Sequence, residues 1–292
     1  MWVFFGDETI FTTSKLGWRY REVFLLAGYA IEHHLLGAML SDIEAVKGHY
    51  GLDLRHPVKY NMKDGRLDKY YEARGESPLL VTARASADAM RTDLLALLPQ
   101  HNARTFICAM GSLGFKTRKE YYQWATTNLL QRLGYLTTVN PSHQIVPPEL
   151  LVCLDWPDAN IEKNYFHIYH EPWHTGVSVE GHSFTCGPLR HRKAFPDVVV
   201  GSTIHNSFLQ LADLVAGAAA SFVTWAVTGN KWQTARMFFT PVATCFFANA
   251  WLRHNQTSFI SSPPGLQGIM ATGYASLSLA LQGEQPPITL PA

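Results

Sequence analysis

Between His205 and Asn230 the chain reads HNSFLQLADLVAGAAASFVTWAVTGN, an almost wholly apolar stretch with a single carboxylate, Asp213, inside it. Few folds accommodate such a segment. The uninterrupted run 214–227 is short beside the roughly 20 apolar residues of a bilayer span, and an acid precedes it, so a buried core helix is expected. Ser207 followed three residues later by Gln210 has the spacing of a capping box, which predicts a helix start near Phe208. Gly229 and Asn230 tolerate the left-handed turn of a helix C-cap. Asn206, Gln210, Asp213 and Gly217 fall three or four apart and share one face, and the small residues 217–220 leave room for a neighbouring element. An isolated ionised carboxylate is costly to bury, so Asp213 calls for a cation, a basic partner or hydrogen-bond donors. The plainer reading is an acid favoured by the helix dipole.

With 292 residues, 47% hydrophobic and 16% charged, the chain is long enough for one large globular domain. Its 24 basic and 23 acidic side chains leave a net charge near +1, so attraction to a polyanion would need a local basic patch, and no membrane partner is expected. The opening MWVFFGDET has no basic start, apolar run and cleavage site of a secretory signal, and a cytoplasmic protein is expected. Cys108, Cys153, Cys186 and Cys245 are far apart and show no paired spacing, which argues against a disulfide framework.

Trp2 to Phe5 form a strand-type run that delivers Asp7 and Glu8 to its end, and VFLLAGYAI after Glu22 forms a second strand able to pair with it as a hairpin. Successive strand residues point to opposite faces, so Asp7 and Glu8 share a site only if the strand ends or bulges there. A helical stripe occupies 33–49, and HPVKYNMKD reads as a short third strand carrying Lys59. Lys63, Arg66 and Lys69 follow as a basic cluster on a loop, able to contact phosphates or simply solvated. A helix over 86–98, a strand over 104–110 and a helix opened by a Thr117/Glu120 capping box come next. LLVCLD is a strand ending in Asp155, and 197–202 a last strand before the apolar helix. The segment 160–192 is a histidine-rich insertion (His167, His170, His174, His182, His191) whose spacings match no recurrent paired-ligand zinc pattern. Further helices are expected over 237–252 and 269–281.

Asp7, Asp155 and Asp213 therefore sit at strand ends or on a core helix of an α/β chain, where ligands bind in open sheets. Carboxylates in that setting suit Mg2+ or Mn2+, and two such ions about 3.5 to 4 Å apart can activate water and stabilise a leaving oxygen. No GxGxxG, Walker or GxSxG motif offers a competing chemistry.

Four stretches together resemble the bacterial and phage domain of unknown function 3800 family: FFGDET over 4–9, VKYN over 58–61, LVCLDW over 151–156, and SFLQLADLVAG over 207–217. The family has Asp-Glu-Ser-Gly at its first strand; here Thr9 replaces the Ser and the Gly is missing. The resemblance covers roughly 2–225. It implies an RNase H-like mixed sheet flanked by helices, with 1–230 as that domain, interrupted by the insertion, and 231–292 as a C-terminal helical extension. It further implies a divalent-metal-dependent nuclease acting on DNA or RNA, with Asp7, Glu8, Asp155 and Asp213 as metal ligands and Lys59 as a catalytic cation. Ser207 and Gln210 would support them by capping the helix and orienting Asp213. The alternative is a catalytically weak RNase H-like module of a phage-defence or mobile-element system, binding nucleic acid, a partner protein or a second copy of itself.

Overall fold

A computed structural model describes residues 1–12, 22–111, 117–137, 149–155, 162–246 and 259–262. The apolar runs β1 (Trp2–Thr12) and β2 (Glu22–Glu32) pair antiparallel in one unbroken register, from Trp2↔Glu32 to Thr12↔Glu22, as the hairpin reading predicts. β3 (Arg104–Gly111) pairs antiparallel with β2, while β4 (Leu150–Asp155) pairs parallel with β1 and β5 (Ala194–Gly201) parallel with β4. A short β6 (Phe259–Ser262) adds parallel to β3, so the strand order is β5-β4-β1-β2-β3-β6.

Eight helices among the described residues complete the mixed α/β fold: α1 (Leu36–His49), α2 (Gly65–Ala73), α3 (Ser77–Ala85), α4 (Ala87–Gln100), α5 (Arg118–Leu133), α6 (Glu162–Thr175), α7 (Ser207–Thr228) and α8 (Trp232–Thr244). The strands are apolar on both faces because both are covered. Val3, Phe5, Leu25 and Ile107 pack with α1, α4, α7 and α8, whereas Phe4, Phe24, Phe106 and Val152 pack with α5 and α6. Phe5 stacks on Phe208 of α7 at 4.9 Å, and Phe222 of α7 on Phe239 of α8 at 4.2 Å, so α8 shares the core of the domain it follows. By length and composition α7 is the one helix among the described residues that could cross a membrane, yet 67% of its apolar window is buried inside the fold. All four cysteines are free and buried.

The structure corrects several expectations. HPVKYNMKD forms no strand: it is an irregular segment of bends and a turn outside the sheet, its Val58 and Tyr60 N–H groups taken by side chains of α7, and Pro57 has no N–H to give a ladder. Three helices therefore separate it from the third strand, which is Arg104–Gly111. The basic cluster is not a loop, since Arg66 and Lys69 lie on α2, capped by Asp64, whose Oδ1 accepts from Arg66 N–H at 2.9 Å. Where a helix is expected over 237–252, α8 runs over Trp232–Thr244, starting five residues earlier, and positions 247–252 lie outside the described residues. The helix expected over 269–281 lies outside the described residues.

Candidate active site

Alternation along β1 sends Asp7 to the same face as Phe5, toward α7. β4 lies directly beside β1 and ends at Asp155, whose Oδ1 accepts from the Thr203 N–H at 2.7 Å and whose Oδ2 accepts from the Thr203 hydroxyl at 3.3 Å. α7 brings Asp213, whose carboxyl lies within hydrogen-bonding reach of Asp7. Asp213 Oδ2 also accepts from the Tyr60 N–H at 2.5 Å. Next to Tyr60, the buried Lys59 places Nζ 3.9 Å from Asp213 Oδ1 and 3.5 Å from Asp64 Oδ2. Asp64 in turn binds the exposed Arg66 guanidinium at 2.9 Å. Three acids from β1, β4 and α7 thus meet a ladder of alternating charges that leads outward to solvent.

The electrostatics follow from crowding. Burial, then the carboxylates of Asp213 and Asp155, push the Asp7 carboxyl well above its ordinary range, against the pull of Lys59 and the Glu8 N–H. Burial raises Asp213 as well, opposed by Lys59 and the Tyr60 N–H. Burial and mutual repulsion thus work against ionising Asp7 and Asp213 together, and most strongly against ionising Asp7. Asp64 behaves differently: burial pushes it up, but its hydrogen bonds to Arg66 and the nearby Lys59 outweigh that and hold it below the usual range. The fields of Asp155 and Asp7 reach Arg66 and help raise its pKa.

Asp7 and Asp213 present hard carboxylate oxygens, the donor type that Mg2+ or Mn2+ takes, with Asp155 alongside. Among the described residues no group of three or more His, Cys, Asp or Glu is arranged to hold a metal ion. Asp155 has both oxygens engaged by Thr203.

The expected residues divide accordingly. Asp7, Asp155, Asp213 and Lys59 come together. Glu8 does not, because the β1–β2 ladder runs unbroken to Thr12 and alternation carries its side chain to the opposite face; its backbone N–H serves the site, donating to Asp7 Oδ1 at 2.7 Å. Nor do Ser207 and Gln210 form a capping box. The cap is Asn206, whose Oδ1 accepts from Phe208 N–H at 2.9 Å and Leu209 N–H at 3.2 Å. Gln210 instead turns its Oε1 to Lys47 Nζ at 2.6 Å and to the Val58 N–H at 3.3 Å, so it holds the segment bearing Lys59 rather than orienting Asp213. Lys47, Asp64 and Thr203 carry no role in the sequence reading, and Asn206, placed there on the face of Asp213, is not read as the cap. Lys47 carried a signal, because it continues the spacing of the buried Met39 and Ile43 on α1.

The fold and site together define an α/β protein with an acid cluster at the end of its central parallel strand pair. No protein-family model, curated protein or solved structure matches the chain.

Proposed function

We propose that this chain is a divalent-metal-dependent nuclease with an RNase H-like fold, as its resemblance to the domain of unknown function 3800 family implies. The observation that carries the reading is the convergence of Asp7, Asp155 and Asp213 from β1, β4 and α7 beside Lys59. The strand order and directions support it: three antiparallel strands β1-β2-β3 with β4 and β5 parallel on the β1 side. So does the basic run Lys63, Arg66 and Lys69, which is exposed and offers a nearly neutral chain a local set of cations for a polyanion.

In this reading Mg2+ or Mn2+ supplies charge neutralisation at the phosphate and a more acidic water. The ionised Asp7–Asp213 pair accepts a proton from the attacking water as its oxygen bonds to phosphorus and the ester P–O bond breaks, and the departing ester oxygen takes a proton from solvent and leaves as a hydroxyl. Lys59 is buried and ion-paired, so its part is to hold Asp213 and Asp64 and to offset the negative charge of the cluster, not to touch the substrate. Arg66, exposed and within the field of Asp7 and Asp155, is the group that meets a phosphate.

The deciding experiment is an assay on single- and double-stranded DNA and RNA with Mg2+ or Mn2+. Metal-dependent cleavage that disappears in Asp213→Asn supports the reading; cleavage that survives Asp213→Asn and Asp7→Asn together removes the site from the chemistry. A second reading, a binding module without turnover, draws on Asp155 having both oxygens engaged by Thr203. It is favoured if Mn2+ calorimetry shows no carboxylate-dependent binding.

A further inference from the structure

On the opposite face of the sheet, α6 presents two exposed imidazoles one turn apart, with Nε2 of His170 3.3 Å from Nε2 of His174. The roll of the helix is set by its other side. Ile168 and Tyr169 are buried, the Tyr169 hydroxyl donates to the Phe195 carbonyl at 2.6 Å, and the Trp173 indole N–H donates to the Ala194 carbonyl at 2.9 Å. Trp173 also meets the His174 ring edge-on, with centroids 4.7 Å apart. The histidine face is therefore pinned outward by contacts to the start of β5.

That 3.3 Å separation lies at the long end of the hydrogen-bond range. It matches the edge of a coordination tetrahedron: two nitrogens, each about 2.0 to 2.1 Å from Zn2+, stand about 3.3 to 3.4 Å apart. We propose that His170 and His174 form a two-imidazole surface site for a borderline transition-metal ion such as Zn2+, with the remaining positions open to water. Imidazole suits such ions, whereas the carboxylates across the sheet suit Mg2+, so the two sites select different metals. The chelated turn contains Pro172, which cannot supply a backbone N–H, and a metal bridging 170 and 174 spans the turn weakened there.

The test is calorimetric titration of the whole chain with Zn2+ in a large excess of Mg2+, comparing wild type with His170→Gln, His174→Gln and Glu171→Gln. One Zn2+ bound by wild type and by Glu171→Gln, with affinity at least about tenfold weaker in either histidine variant, is the expected result. Undiminished Zn2+ affinity in a histidine variant, or none in wild type, overturns the proposal. Electron paramagnetic resonance with Cu2+ gives an independent reading: two imidazole nitrogens in wild type and one in each histidine variant. A two-nitrogen signal that persists in both variants overturns it equally.

Discussion

The Tyr60 backbone N–H donates to Asp213 Oδ2 at 2.5 Å, and one turn along α7 the Tyr60 ring lies over Gly217. The Tyr60 hydroxyl then pairs with Ser221 Oγ at 2.5 Å, while one turn before Asp213, Gln210 Oε1 accepts from the Val58 N–H. One face of α7 is thus a track on which the segment 58–60 is seated by successive turns. Lys59 reaches the acids because its neighbours on both sides are fastened to the helix that carries Asp213.

Gly217→Ala tests that seating. A Cβ at this position would stand 1.9 Å from Cγ of the Tyr60 ring, so ring and backbone must move apart. Overpacking of this kind costs about 1 to 3 kcal/mol. The expected outcome is an unfolding free energy lower by that amount, read from urea denaturation, together with weaker Mn2+ binding, because Tyr60 leaves Asp213. A variant as stable as wild type with unchanged Mn2+ affinity would show that the segment is not held there.

Asn206→Ala should destabilise the protein by about 1 kcal/mol, since its side chain caps two N–H groups of the α7 first turn. Ser207→Ala should change stability much less, although the sequence offers Ser207 as the cap. Equal losses in the two variants, read from denaturant midpoints, would restore the capping box.

That contrast shows where the sequence was readable. Apolar runs such as 2–5 and 150–154 announced β1 and β4, and alternation along β1 already separated Asp7 from Glu8. The acids were legible because a carboxylate in an apolar segment needs a reason. Segment 56–64 reads as a strand because its residues suit one, whereas distant side chains, Gln210 and Asp213, claim its Val58 and Tyr60 N–H groups. Gln210 was misassigned for the same reason: its partner Lys47 lies 163 residues away in the chain, beyond the reach of local spacing.

Lys47 gives an alkaline signature. Burial lowers its pKa to about 8, against the opposing pull of Asp53. Folded Lys47 thus releases its proton before unfolded Lys47 does, so between about pH 8 and about 10.5 the unfolded chain binds more protons and stability rises with pH. Buried thiols such as Cys108, pushed up to about 12 by burial, act with the opposite sign, so the informative quantity is the difference between wild type and Lys47→Met. Denaturation at pH 7.5 and 9.5 should show wild type gaining on the variant. At neutral pH Lys47→Met should lose about 1 to 3 kcal/mol, because the His56 carbonyl forfeits its 2.9 Å donor in a buried setting. A constant gap across pH would mean that Lys47 keeps its proton throughout.

Asp7 produces the reverse slope in the acid to neutral range. Its folded pKa is raised by burial and by the Asp213 and Asp155 carboxylates, so the stabilising protonated form is fully present below the ordinary carboxylate range of about 4. As pH rises through the raised value, the folded chain must give up that proton and set two carboxylates against each other, and stability falls. Asp7→Asn removes both the proton and the repulsion. The variant should therefore be more stable than wild type at pH 8, nearly equal at pH 4, and flatter between them. Mg2+ should raise wild-type stability at pH 8, where the pair is ionised, while leaving Asp7→Asn almost unmoved. Thermal unfolding at pH 4, 6 and 8, with and without Mg2+, checks both statements in one set of curves. Parallel profiles for wild type and Asp7→Asn would mean that Asp7 ionises as an ordinary carboxylate.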